Sequence, residues 1–358
     1  LECPVYSNIS APENNSFKIL SVAITQIRSN TLKNTHFYEY GGLFMIQYIL
    51  RRILQMVPVI FLVTVVIFSI TLLLPGDITY TILGEDATEE QRAQAIIDYG
   101  LDDPVIIQYF RWLGHAMQGD LGRSFRTHQP VIEMIQERFP ATLELTLFSM
   151  IISIIIGVPA GIIASTKRNS VWDVLATIIS MFGVAIPFFW LGILLILLFS
   201  LKLGWLPPSG YVPFTTDPIQ NLKLMILPSL TVGAAMAAVV MRQTRGAMLN
   251  VLNQTYIDTA RAKGLSEAKV QFKHALRNAF IPVVTVIGLQ TGSLMGGAVV
   301  TESVFSISGV GRMVVQGIFN RDYPVVQGGI LLIVLCVLVI NMLVDVLYAV
   351  LDPRIKLS

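Results

Sequence analysis

Between two long apolar stretches lies a polar interruption, Arg242 to Asn278, in which residues Tyr256 to Ser266 read Tyr-Ile-Asp-Thr-Ala-Arg-Ala-Lys-Gly-Leu-Ser. These residue types cap helices and dock them. Thr255 and Asp258 stand at capping-box spacing, Gly264 offers a left-handed C-terminal cap, and Ser266 can cap a second helix. The first helix is then only about two turns long, too short to be stable alone in water, so it must dock onto something. The second carries an apolar stripe at Leu265, Ala268, Phe272, Ala275 or Leu276, and Ala279, with Glu267, Lys269, Lys273 and Arg277 elsewhere around it. That stripe is expected to lie against an apolar core.

Residue sets for bond-making chemistry do not stand out. The four histidines, His36, His115, His128 and His274, are scattered without metal-ligand spacing. No Gly-x-x-x-x-Gly-Lys-Ser/Thr phosphate loop occurs, and Gly157 to Lys167 is the end of an apolar run rather than a strand and loop. Cys3 and Cys336 define neither a disulfide framework nor a cysteine metal site. No catalytic group, metal, cofactor or nucleic-acid partner is expected, and the net charge of +2 decides nothing.

The elements that must hold the docking helix lie in a bilayer. Apolar residues make up 54% of the chain and charged ones 13%, and the mean hydropathy is +0.67, outside the balance of soluble domains. A membrane span needs about 20 apolar helical residues. Six segments meet or approach that: Ile53 to Leu74, Leu145 to Ala164, Leu175 to Leu201, Leu224 to Met241, Phe280 to Val300 and Val325 to Leu351. The expected fold is an all-α integral membrane protein of six spans. Pro187, Pro228 and Pro282, in or near these runs, require a bundle in which neighbouring helices satisfy the freed carbonyls. Arg51 and Arg52 precede the first span, Lys167 and Arg168 follow the second, and Arg354 and Lys356 follow the sixth, which places these ends and both termini in the cytoplasm. The 242–279 loop falls on the same side, with Arg242, Arg245, Arg261, Lys263, Lys269, Lys273 and Arg277.

Residues 1–44 are Asn-rich, lack the pattern of a secretory signal, and are expected to be a poorly ordered extension. Met45-Ile-Gln-Tyr-Ile-Leu-Arg-Arg looks like the beginning of the membrane domain, 45–358. The external segment 75–140 contains helix formers around Thr88 to Tyr99, an amphipathic run from Pro104 to Met117 and a Gly-Asp-Leu-Gly turn at Gly119 to Gly122, and is expected to form a small helical cap between spans one and two. Gly288, Gly292, Gly296 and Gly297 in the fifth span serve close helix packing or line a path through the bundle, packing being the simpler account. Asp345 is an ionisable group within a span, near Asn341. No internal repeat is evident, so a second half-pore must come from another subunit.

Tyr256 to Pro282 resembles the cytoplasmic signature of the permease subunits of ATP-binding-cassette importers. In the general signature a Glu-Ala-Ala triplet precedes a glycine; here Asp258, Thr259 and Ala260 occupy the triplet and Gly264 the glycine, and only the last alanine and the glycine match. The signature's Ile-x-Leu-Pro corresponds to His274, Ala275, Leu276 and Arg277, a departure typical of the oligopeptide, dipeptide, glutathione and nickel group. Leu101-Asp-Asp-Pro, Gly119-Asp-Leu-Gly, Pro140-Ala-Thr-Leu-Glu-Leu, Leu203-Gly-Trp-Leu-Pro, Arg321-Asp-Tyr-Pro-Val-Val-Gln and Leu351-Asp-Pro-Arg are similar to that group as well, so the resemblance runs from Met45 to the end.

The resemblance implies one of two permease subunits in the cytoplasmic membrane of a bacterium, with two cytoplasmic ATP-binding subunits, a second homologous permease, an extracytoplasmic solute-binding protein and membrane lipid as partners. It implies alternating access, with the short helix as lever and Thr255, Asp258, Thr259, Ala260, Arg261, Lys263, Gly264, His274 and Arg277 as the coupling set. Ala260 and Gly264 would permit close approach to a groove, Asp258 would cap the first turn, and Arg261 and Lys263 would meet acidic rims. Gly264 also serves as a plain helix stop, and the cations as topology signals. Peptide import ranks first, nickel or another small solute second. A secondary transporter or channel working without ATPases would want coupling charges or a polar filter at mid-membrane, and none stands out.

Overall fold

The computed structural model describes residues 49–70, 87–98 and 100–351, together with Gln47 and Leu83. The expected extension 1–44, the cations Arg354 and Lys356, and the end of the first span lie outside the described residues. The chain divides into one unit of residues 1–55 with 357–358 and a second of residues 56–356, which carries all that positions the site.

Among the described residues the helices are α1 (Ile49–Ile70), α2 (Glu89–Asp98), α3 (Val105–Met117), α4 (Val131–Thr166), α5 (Val171–Ala185), α6 (Phe188–Lys202), α7 (Pro218–Leu252), α8 (Thr255–Ala262), α9 (Glu267–Val304), α10 (Val310–Phe319) and α11 (Tyr323–Leu351). They include no strand, only an isolated bridge between Arg123 and Pro130. Five helices are long and apolar enough to cross a membrane, and the bent pair α5–α6 makes a sixth span if counted as one.

Three spans differ from expectation, each for a local reason. The third is broken: α5 and α6 meet at 107°. Ile186, which precedes proline and is thereby biased away from helical geometry, is extended, and Pro187 opens α6 as its N-cap. The fourth extends well beyond the apolar run Leu224 to Met241; α7 runs for 35 residues, with 72% of its apolar window buried, which makes it the central helix. Pro228 sits inside α7 and Pro282 inside α9 without ending either. The fifth begins at Glu267, so the interruption 242–279 is mostly helix, and only residues 253–266 leave the long helices to form α8 and its flanking turns.

The principal helix pair is α4 on α7, and its closeness follows from Gly157 and Gly161, four residues apart on one face of α4. A Cβ at Gly157 would stand 2.7 Å from the Ala237 carbonyl oxygen, and one at Gly161 would stand 2.7 Å from that of Met241. No side chain fits there. Arg245 of α7 adds a bidentate ion pair to Asp173 of α5, at 2.7 and 2.9 Å, so this cation has a structural partner as well as a topological meaning. Apolar side chains gather at both ends of the bundle: Met248, Ile257, Val270, Ala275 and Ala279 around α8, and Val131, Met134, Val310, Met313 and Val325 around α10.

Candidate coupling face

α8 is eight residues long and has no stability of its own. Two side chains anchor it. Ile257 is 0% exposed and Ala260 8%, both packed into the cluster formed with Met248 of α7 and Val270, Ala275 and Ala279 of α9. Burying one isoleucine contributes about 1.5–3 kcal/mol, comparable to the deficit of an isolated two-turn helix. Polar groups complete the joint: Asn278 Nδ2 donates to Tyr256 Oη at 2.8 Å, and both Asn278 Nδ2 and the Tyr256 hydroxyl donate to the His274 carbonyl, at 3.3 and 3.4 Å.

The ends of α8 differ from each other. At its C-terminus Gly264 has φ +77°, its N–H donates to the Arg261 carbonyl at 2.9 Å and that of Leu265 to the Ala260 carbonyl at 3.4 Å, which is a Schellman cap, a geometry that favours glycine. At the N-terminus the expected capping box does not form. The N-cap is Gln254, without a side-chain cap bond, and Thr255 already lies inside the helix, where its carbonyl accepts from the Thr259 hydroxyl. Asp258 therefore caps nothing; its carboxylate lies 3.5 Å from Arg261, which also pairs with Glu267 at 2.8 Å. The Glu267 hydrogen bond, more than the Asp258 charge, holds Arg261 above the ordinary guanidinium range. Ser266 does occupy the N-cap of α9, again without a side-chain bond.

The apolar stripe of α9 also shifts phase. Ala268 and Phe272 are exposed, Phe272 by 59%, whereas Val270 and Ala275 are fully buried five residues apart. Residues Val270–Ala275 form a π-helical segment, whose i→i+5 bonding widens the turn and replaces the three- and four-residue rhythm with a five-residue step. Ala279 resumes the normal rhythm four residues on.

The structure thus sorts the expected coupling residues into two faces. Thr255, Asp258, Thr259, Arg261, Lys263, Gly264 and Arg277 are exposed, and a Cβ at Gly264 would meet nothing within 4 Å. Ala260 faces the core and offers no close approach to a partner; His274 is half-buried and contributes its backbone carbonyl. Of the fifth-span glycines, Gly288 packs on Val344 and Gly292 lies against Val337 and Asn341 of α11, while Gly296 faces open space and Gly297 faces Phe188. Asp345 is half-buried in α11.

One buried constellation escaped the sequence reading. At the other end of α9, Glu302 is 0% exposed. It accepts from the Thr142 hydroxyl of α4 at 2.6 Å and from the Arg312 N–H at 2.8 Å, while Thr142 accepts from the Val310 N–H at 2.9 Å. A carboxylate of α9 thus caps the N-terminus of α10 and ties both to α4. Asp322 does similar work nearby, accepting from the Ser124 hydroxyl and the Phe125 N–H. An acidic residue closing an apolar run was visible at Glu302, but its partners lie 160 and 10 residues away.

A multi-span helical bundle that presents a short, core-anchored helix between two long spans is the architecture of a membrane transport subunit. The chain belongs to the family described as binding-protein-dependent transport system inner membrane component, which matches residues 157–357, with that family's N-terminal part matching residues 45–146. It is 43% identical over 333 residues to the dipeptide transport system permease protein DppB of Alkalihalophilus pseudofirmus, covering 87% of this chain and 100% of that protein. It is 46% identical over 312 residues to the glutathione transport system permease protein GsiC of Escherichia coli, covering 87% and 99%. The di/tripeptide permease DppB of Pseudomonas aeruginosa is 42% identical over 333 residues, covering 87% and 99%. Among solved structures, an inward-facing conformation of the MetNI methionine ABC transporter shares the fold, with TM-score 0.53, 19% identity, and coverage of 62% of this chain and 97% of that one. The chain is a multi-pass permease of an ABC importer, not itself a catalytic enzyme.

Proposed function

We propose that this permease carries small peptides across a bacterial cytoplasmic membrane, driven by two ATP-binding subunits that push on α8. Both termini and the α8 end face the cytoplasm; a second, homologous permease completes the pore, a solute-binding protein delivers cargo at the α10 end, and lipid covers the outward apolar faces. The observation that carries the mechanism is the two-sided build of α8. Its inner face is locked to α7 and α9 through Ile257, Ala260 and the Tyr256–Asn278–His274 bonds, while its outer face presents Thr255, Asp258, Thr259 and Lys263. A displacement applied outside must therefore be passed to two spans at once. The names of the relatives support peptides over nickel or another small solute. Gly296, open on its face of α9, is the one of the three proposed pore glycines with room beside it for a substrate path.

The test is uptake of labelled di- and oligopeptides, and of nickel, in oriented vesicles holding the full complex with binding protein outside and ATP inside. Peptide uptake that requires both supports the reading. Nickel uptake alone moves the cargo to a metal, and uptake without ATP overturns the importer mechanism.

A further inference from the structure

At the α10 end, away from the coupling face, a cleft of about 430 Å³ is lined by Glu137, Arg138, Ser308, Arg312 and Gln316. Ligand sites of this size are ordinarily walled by apolar side chains with a few polar ones. Here every lining residue is polar or charged, so the matching ligand is small, polar and charged.

Two arginines and one carboxylate line the cleft, and the charge of Arg312 also lies within electrostatic reach of the buried Glu302. Among the described residues neither Arg138 nor Arg312 forms an ion pair, and both are half-exposed. Glu137 accepts one hydrogen bond through Oε1, from Gln129 at 3.2 Å. A guanidinium matches a planar carboxylate with bidentate bonds, which a cleft presenting two arginines can supply. The walls are rigid: Arg138 lies one helical turn before Thr142 on α4, and the Arg312 N–H is bonded to Glu302, so the buried Thr142–Glu302 pair sets the spacing of the two walls.

We propose that this cleft is a recognition subsite for the ends of a small zwitterionic peptide, with Arg138 and Arg312 taking the α-carboxylate and Glu137 the ammonium. It rests on the peptide-import reading and adds to it a selection step on the permease itself, about 40 Å from α8 by the length of α9 from Leu276 to Val304.

The experiment measures binding of L-alanyl-L-alanine, its C-terminal amide and its N-acetyl derivative to the purified full complex without binding protein. The wild-type complex is expected to bind the amide about tenfold more weakly than the free acid, the loss of one charge-assisted pairing. Arg138→Gln and Arg312→Gln should each weaken the dipeptide by a similar factor while leaving the amide unchanged, and Glu137→Gln should remove only the preference for a free amino end. Arg312→Lys, which keeps the charge, retains part of the acid preference and separates recognition from misfolding. Equal binding of acid and amide by wild type, or Arg→Gln variants that keep the preference, overturns the subsite. So does a variant that loses affinity for loaded binding protein with dipeptide binding intact, since the arginines would then contact that protein. Peptide import by wild type alongside such a failure leaves the import reading standing; no peptide import at all overturns both.

Discussion

The two ends of α9 are held by opposite chemistry. At its start, α8 is fixed by apolar burial of Ile257 and Ala260, and its polar contacts, Tyr256 to Asn278 and Arg261 to Glu267, are exposed. At its finish, a fully buried carboxylate binds three helices through hydrogen bonds. The first kind of joint is graded and tolerates sliding. The second is satisfied in one geometry and expensive to leave half-made. A lever is suited to the first and a fixed fulcrum to the second, so the contrast predicts that damage at the α10 end removes the protein, whereas damage at the α8 end removes its coupling.

The largest effect is expected at Glu302. Replacing it by Ala leaves the buried Thr142 hydroxyl and the Arg312 N–H at the start of α10 without their acceptor, a loss of about 1–3 kcal/mol for each unpaired group. Glu302→Ala should yield little assembled complex by gel filtration, with a strongly lowered unfolding temperature for what remains. Normal assembly and melting would show that the buried network is dispensable and erase the contrast.

Next comes the anchor of the lever. Ile257→Ala removes a fully buried side chain at a cost of about 2–5 kcal/mol, borne by an eight-residue helix that has no other large buried side chain. The expected outcome is a complex of normal melting temperature that hydrolyses ATP without importing substrate. Retained import would mean that α8 is held from outside, by the ATPase.

Gly264→Val places a β-branched residue at φ +77°, costing about 1–2 kcal/mol in the left-handed region although the space beside it is open. Gly264→Ala should cost less than Gly264→Val, because β-branching adds to the strain of a positive φ, while Gly264→Asn, which tolerates the left-handed region, should restore much of the stability. Uptake lost in Gly264→Asn with α8 stability restored would reveal a partner surface pressed against this glycine.

How much of this contrast was legible in the sequence depended on its range. Apolar runs marked the spans, and Gly264 marked the end of α8, because both signals are local. Helix ends were misplaced where polar residues continued a helix, as from Arg242 to Leu252 in α7. Pro187 and Pro228 read alike, yet one breaks a span and the other does not, and burial does not decide it, since the exposed Pro159 and Pro282 also stay inside their helices. The stripe on α9 failed at the π segment, whose five-residue step no regular periodicity announces. Thr142 and Glu302 could not be paired because their contact is made only by the assembled bundle.

The smallest effect sharpens the comparison most. Arg261 pairs with Glu267 and Asp258 at the surface, where the side chains are 40%, 58% and 72% exposed. Exposed pairs contribute about 0–1 kcal/mol, so Arg261→Gln should leave the unfolding temperature nearly unchanged. If these residues only staple α8 to the start of α9, uptake should be unchanged too, at low and high salt alike. If the outer face of α8 meets an acidic ATPase rim, Arg261→Gln and Lys263→Gln should weaken ATPase association in the same proportion as raised ionic strength does in wild type. Measuring ATPase affinity for the membrane subunits across a salt series in both variants therefore separates a residue that holds the lever from one that receives the push.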